Sequence, residues 1–189
     1  MKDKLAIDIA LLPPDDVMDL AIDVNRTHGP EFHLNKADRL PHITLSQAIY
    51  EQDDLDEIVA RLKKIAANFK PIRMKGKFVN HPAILIEVEI NQELQKLHQK
   101  IMDEFKDLAS YKVSKEYYFD KDVREHTLNY VRKFRTAVAY ENYYPHITLG
   151  VTKPIDRQPN IVFTAKRLTI CHLGNYNTCR KILFETSLS

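Results

Sequence analysis

Pro41-His42-Ile43-Thr44-Leu45 and Pro145-His146-Ile147-Thr148-Leu149 are the same five residues met twice, and no other stretch of the chain repeats as well. Ile, Thr and Leu favour strands, and a strand sends successive side chains to opposite faces. That places His42 and Thr44 on one face against Ile43 and Leu45 on the other, and likewise His146 and Thr148 against Ile147 and Leu149. Each copy anchors an apolar face in a core and presents an imidazole and a hydroxyl elsewhere. A single copy reads as an ordinary strand with a polar face toward water. Two identical copies do not, because solvent-facing positions make no demand for the same pair of side chains.

The sequence around the copies sorts into strands and helices. Residues 4–12 (KLAIDIALL) read as a strand, and Pro13-Pro14-Asp15-Asp16 then opens a helix with Val17, Leu20, Ala21 and Val24 inward. Gly29-Pro30 stops it. The first copy lies in a strand over residues 40–50, followed by the clearest helix, 51–69, with Leu55, Ile58, Leu62 and Ile65 in one stripe. Residues 71–79 and 83–90 read as two strands joined by Asn80-His81-Pro82. A helix from Asn91 turns Leu94, Leu97, Ile101 and Phe105 inward. Residues 110–120 are irregular and rich in Tyr, and a helix over 122–138 carries Thr127, Tyr130, Val131 and Phe134 on one side. The second copy lies in a strand over 144–152. Residues 161–172 and 176–187 read as a long closing hairpin turning at Gly174-Asn175. Strands outnumber helices, and hairpins mix with crossovers, which is an α+β pattern and not a doubly wound one. No linker rich in Pro, Gly or Ser divides the chain, so the expectation is one domain over residues 1–189 with two lobes.

Composition removes several functions. The 189 residues hold 28 Lys+Arg against 26 Asp+Glu, a net charge of +2, which argues against a bulk polyanion binder. Only four Gly are present and no two are close, so neither a P-loop nor a dinucleotide fingerprint can be built. The amino-terminal apolar stretch is interrupted by Asp8 and lacks the core of a signal peptide. No apolar run approaches the roughly 20 residues of a membrane span. A cytoplasmic protein without a membrane partner is expected. Cys171 and Cys179 flank the closing turn, which makes them neighbours across a hairpin and, in a reducing compartment, free thiols.

Two imidazoles and two hydroxyls suit displacement at phosphorus. An imidazole titrates near neutrality, so one His can act as base while the other acts as acid. One takes a proton from attacking water, and the other gives one to the departing oxygen on the opposite side. Two Thr hydroxyls can hold the non-bridging oxygens. The scheme needs no cofactor. It needs no metal either: His-x-Thr supplies one strong ligand per copy, and no HExxH or CxxC occurs. Tyr144, two residues before His146, points into the same cleft by alternation and is placed to stack on a nucleobase. A Tyr packed at a strand end is the competing reading. Tyr143 and Phe78 are further candidates. Ser46 shares the face of His42 and Thr44 and is placed to add a hydroxyl, or simply to face solvent. His81 reads as a loop residue near the cleft rim, and His28, His33, His98, His126 and His172 as surface or packed. Residues 61–77 carry seven basic side chains and no acidic one, and 112–135 are also basic. Such runs would serve an anionic substrate if they border the cleft.

At these residues the sequence resembles the 2H phosphoesterase superfamily, named for two His-x-Thr/Ser-x motifs. Within it the likeness is to the 2′–5′ RNA ligase and cyclic phosphodiesterase branch. It covers the opening strand and helix, both motifs, the strand pair from Gly76 to Glu87 and the closing hairpin. The resemblance implies a bilobal fold of two pseudo-symmetric, mainly antiparallel sheets, with helices on the outer faces and a central water-filled cleft. It implies hydrolysis of a 2′,3′-cyclic phosphate or a 2′–5′-linked nucleotide, with His42 and His146 catalytic and Thr44 and Thr148 binding phosphate. The implied partner is a nucleotide or RNA end, with no obligate protein partner. A 2′–5′ ligase, a cyclic-oligonucleotide phosphodiesterase and a non-catalytic RNA-binding module are the alternatives. Residues 110–140 depart from the family pattern, at a place where insertions line the cleft mouth. The repeat leaves open which His is acid and which is base.

Overall fold

In a computed structural model, which describes residues 3–28, 32–80, 83–150, 156 and 159–189, the two copies sit at equivalent places in two separate sheets. The expected helix stop at Gly29-Pro30, the turn residue His81 and the strand end at Val151-Thr152 lie outside the described residues. The first half holds β1 (Lys4–Leu12), α1 (Asp15–Thr27), β2 (Ile43–Glu51) and α2 (Leu55–Ala66). It is followed by β3 (Ile72–Asn80), β4 (Ile84–Val88) and α3 (Gln92–Glu104). Next come α4 (Glu125–Lys133), β5 (His146–Gly150), β6 (Ile161–Ala165), β7 (Arg167–Leu173) and β8 (Cys179–Ser187). Among the described residues no helix is long and apolar enough to cross a membrane.

One sheet has the order β2-β1-β7-β8 and the other β5-β4-β3-β6, with the paired strands antiparallel throughout. The architecture is α+β, as expected. Each copy lies on or just before an edge strand, and those two edges, β2 and β5, touch. Proline cannot donate to a ladder, so Pro41 and Pro145 are suited to the entry of an edge strand. The helices cross over: α1, which follows β1 of the first sheet, packs against β5 of the second, and α3, which follows β4, packs against β2. One apolar cluster therefore draws on both sheets, with Ile9, Leu45, Ile86 and Ile147 from strands and Ile58, Leu97 and Ile101 from helices, all unexposed. Each such side chain contributes about 1.5–3 kcal/mol of burial free energy.

The expected long hairpin is corrected at its first arm. Residues 161–172 are two strands, not one, and the chain changes sheets at Lys166. β6 alternates as an edge strand does, whereas Leu168, Thr169, Ile170 and Cys171 of β7 are all buried because β7 lies between β1 and β8. An unbroken apolar rhythm hid the break. The helix expected over 122–138 is α4 followed by a π-helical turn, Phe134–Val138.

The repeat extends to the backbone. Ala10 pairs with Thr44 and Ile9 with Ser46, so Leu45 is an extra residue in β2. Leu85 pairs with Thr148 and Ile84 with Gly150, so Leu149 is the extra residue in β5. Both copies thus bulge at their final Leu, and a bulge resets which face the following side chains use.

Candidate active site

Both imidazoles are held in the same way. His42 Nδ1 donates to the carbonyl of Leu40 at 2.8 Å, and His146 Nδ1 donates to that of Tyr144 at 2.8 Å. A ring whose Nδ1–H is bonded back two residues leaves Nε2 as its reactive nitrogen. His42, Thr44, His146 and Thr148 line one cleft of about 150 Å3, as strand alternation through the two copies requires. The Thr148 hydroxyl makes no hydrogen bond among the described residues. Thr44 donates to Asp8 Oδ2 at 2.7 Å.

Asp8 breaks the symmetry between the copies. It has no exposed surface, accepts from Gln47 Nε2 at 2.8 Å, and lies 3.5 Å from His42 Nε2. Carboxylates are almost never fully buried without partners, and here the partners are the first motif itself. Burial works against a charged His42, but the hydrogen bond and charge of Asp8 outweigh it and raise the imidazole above its ordinary value. For His146 burial prevails and lowers the imidazole; the Tyr144 carbonyl opposes this, and the His42 charge adds to it. The fold thus favours imidazolium at His42 and neutral imidazole at His146.

The bulges explain two departures from simple alternation. After Leu45, Ser46 turns to the core face with Ala48 and Tyr50, is 3% exposed, and does not line the cleft. Gln47 takes its place beside Thr44, so the expectation for Ser46 passes to Gln47. Phe78 packs against the main apolar cluster from β3, two strands away from β5, and is not a cleft residue. Tyr143 is also not a stacking surface. It is buried, its hydroxyl donates to the Thr44 carbonyl at 2.9 Å, and its ring lies flat on His98 with centroids 3.9 Å apart. Tyr144 is 45% exposed, beside His146 with centroids 5.4 Å apart, and its hydroxyl donates to Glu87. No side chain of the two basic stretches lines the cleft among the described residues except Tyr130, which is uncharged. On β3, Lys75 and Lys77 pair with Glu89 and Glu87.

Each bulge carbonyl is met by a buried polar side chain from the helix that crosses over it. His98 of α3 donates from Nδ1 to the Leu45 carbonyl at 2.7 Å, and its Nε2 accepts from the Tyr140 amide at 2.8 Å. Asn25 of α1 donates to the Leu149 carbonyl at 2.7 Å and accepts from the Leu34 amide. Both are essentially unexposed. His98 therefore ties the first motif to the segment that leads into the second. Replacing either residue by Ala orphans buried backbone groups at a bulge. His98→Ala and Asn25→Ala are each expected to lower unfolding free energy by about 2–3 kcal/mol, read by chemical denaturation. Unchanged stability in both would show that the bulges hold themselves.

The remaining wall was not legible in the sequence. Phe32, Tyr130, Tyr176 and Asn177 face the two imidazoles. Tyr176 and Asn177 have φ of 59° and 54°, a left-handed pair that residues other than Gly adopt at a cost. The turn is held by the 110–140 segment: the Asn175 amide donates to Asp120, and the Asn175 side chain accepts from the Arg124 amide and the Thr127 hydroxyl. Tyr176 in turn packs against Phe32 at 5.3 Å and lies under the Arg124 guanidinium.

A sequence model described as the 2′-5′ RNA ligase superfamily matches residues 14–169. No curated protein matches the chain. Among solved structures, TT0787 of Thermus thermophilus is 14% identical, with 97% of this chain and 98% of that chain covered and a TM-score of 0.58. E. coli LigT complexed with NADP+ is 12% identical, with 99% of each chain covered and a TM-score of 0.55. LigT complexed with 3′-AMP is likewise 12% identical over 99% of each chain, with a TM-score of 0.53. Identities this low establish a shared fold.

Proposed function

Because the chain belongs to the 2′-5′ RNA ligase superfamily, we propose that it hydrolyses a 2′,3′-cyclic phosphate or a 2′–5′-linked nucleotide in the cleft between β2 and β5. The observation that carries this reading is the pair of imidazoles, brought from two sheets to one cleft, each with Nδ1 tied back and Nε2 left to react. Their environments assign the roles. Neutral His146 accepts a proton from water at Nε2 as the water oxygen attacks phosphorus. The P–O bond on the far side breaks, and the departing oxygen takes the Nε2 proton of His42, whose charged form Asp8 stabilises. Water re-establishes both protonation states afterwards.

The diester gains negative charge as it is attacked, and donors fixed in place beforehand stabilise that charge most. Thr148 is unengaged and available to the non-bridging oxygens; Thr44 reaches them by rotating its hydroxyl from Asp8. Tyr144 on one side, and Phe32 with Tyr176 on the other, offer aromatic surfaces for a base, and the LigT structure complexed with 3′-AMP supports a nucleotide as the occupant. With a 5′-hydroxyl in place of water as the nucleophile, the same residues would open a 2′,3′-cyclic phosphate at its P–O3′ bond and leave a 2′–5′ linkage, the kind of ligation the superfamily is named for.

A panel of 2′,3′-cyclic nucleotides, 2′–5′ oligoadenylate and cyclic dinucleotides, incubated with a strong chelator and followed by phosphorus NMR, tests the proposal. Turnover of a cyclic phosphate or a 2′–5′ linkage is expected. Binding of these compounds with no bond broken would instead identify an RNA-binding module, and loss of turnover on chelation would exclude the two-imidazole scheme.

A further inference from the structure

Beside His42 and Asp8 lies a thiol that the acid–base chemistry does not use. Asp8, His42 and Cys179 each place one ligating atom within 4.8 Å of the other two. The topology produces this cluster: the Leu40 amide donates to the Cys179 carbonyl at 3.2 Å, tying the strand entry that carries His42 to the first residue of β8. Asp8 comes from β1, one strand in from β2, and pairs across the ladder with Cys171 of β7. Cys179 and Cys171 are unexposed free thiols.

A second observation is independent of the cluster. Asp8 Oδ2 is fully used by Thr44, Gln47 and His42, but Oδ1 is enclosed with no hydrogen-bond partner among the described residues. A buried carboxylate oxygen without a partner is costly, and a cation placed against it removes that cost. The donor set is one thiol, one imidazole and one carboxylate. That is the mixture zinc-type ions take, with bonds of about 2.0–2.3 Å that set neighbouring donors about 3.5 Å apart in a tetrahedron. One donor atom from each of the three residues already lies within 4.8 Å of the other two. The His42 Nδ1–H bond to Leu40 is also the outer contact that orients a metal-ligating imidazole.

We propose that Asp8, His42 and Cys179 form a site for a zinc-type divalent cation, and that filling it silences the cleft by occupying the Nε2 lone pair of His42. Cys171, across the ladder from Asp8, is a candidate for a fourth donor. Binding exchanges protons for the metal, because a thiol and an imidazole ligate in their deprotonated forms. Affinity therefore rises with pH. The silencing rests on the catalytic role proposed for His42; the binding does not.

The test uses Co2+ and Zn2+ on the chelator-stripped full chain. Co2+ is expected to give a thiolate-to-metal charge-transfer band with a one-to-one end point. Cys179→Ala, which leaves the cleft residues in place, should lose that band and keep its unmetallated activity. Zn2+ should inhibit the unmutated chain, with activity restored by chelator, and its affinity should fall roughly tenfold or more in Cys179→Ala. Absence of the band from the unmutated chain overturns the site whether or not any variant folds. Equal Zn2+ inhibition with and without Cys179 overturns it as well, by placing the ion between His42 and His146. Co2+ binding in a chain that turns over no phosphodiester would leave the site standing and remove the catalytic reading alone.

Discussion

His146→Ala is expected to lower kcat/KM for a 2′,3′-cyclic nucleotide by roughly 10³–10⁴-fold, near the upper range for a positioned proton acceptor. The variant should remain folded. His146 lies at a cleft-facing position on an edge strand, and its side chain makes one hydrogen bond, to the Tyr144 carbonyl. A melting transition within about 1 kcal/mol of the parent is therefore expected. His42→Ala should lose as much activity but is a less clean experiment. It strips Asp8 of its opposing charge inside the sheet, and leaving one partner of such a pair costs about 3–5 kcal/mol. Stopped assays on 2′,3′-cyclic AMP, with circular dichroism on the same samples, separate the two effects. Substantial turnover by folded His146→Ala would remove His146 from the chemistry.

Asp8→Asn should act through His42. Asn keeps the shape and one acceptor for Thr44 or Gln47 but removes the charge that raises the His42 imidazole. With His42 as acid and His146 as base, activity requires the first protonated and the second neutral. The acid limb of the pH–rate profile therefore reports His146, below the ordinary imidazole value, and the alkaline limb reports His42, above it. Asp8→Asn moves the alkaline limb most, toward acid, and the acid limb, where the Asp8 charge is the smallest influence on His146, slightly the same way. On the alkaline limb, at about pH 8, kcat/KM is expected to fall by roughly an order of magnitude as the acid loses its proton. Near the acid limb the loss should be small. Stability follows the same sign. The Asp8–His42 pair stabilises fully below the unfolded imidazole value, and its contribution fades as pH rises through the raised folded value. Thermal melts across that range should lose this dependence in the variant. An alkaline limb left in place by Asp8→Asn would mean another group supplies the proton.

The repeated pentapeptide made most of the site legible, because period-two alternation needs only the local sequence. It fixed the cleft faces of His42, Thr44, His146 and Thr148, while helical spacing separately fixed the apolar stripes of α2 and α3. What it missed depends on contacts distant in sequence. The bulges at Leu45 and Leu149 arise from ladder register, so Ser46 and Gln47 exchanged faces in a way no alternation count could show. Asp8 read as an interruption of an apolar strand. A lone carboxylate amid KLAIDIALL was itself the available signal, since such a residue needs a buried partner. His98 read as surface or packed; it is packed, and its contacts with Leu45 and Tyr140 join residues far apart in the chain. The change of sheet at Lys166 was masked because β6 and β7 carry one continuous apolar rhythm while serving an edge and an interior position. Residues 110–140 reach the cleft through Tyr130 and by holding the Tyr176-Asn177 turn.

The central claim is that two look-alike imidazoles sit in opposite protonation states across one cleft at neutral pH. Proton and nitrogen NMR titration of His42 and His146, assigned through His146→Ala, measures this directly. The account predicts that His146 is already neutral while His42 still carries its proton, with the two midpoints on opposite sides of about 6.5. Coincident midpoints, or the reverse order, would contradict it.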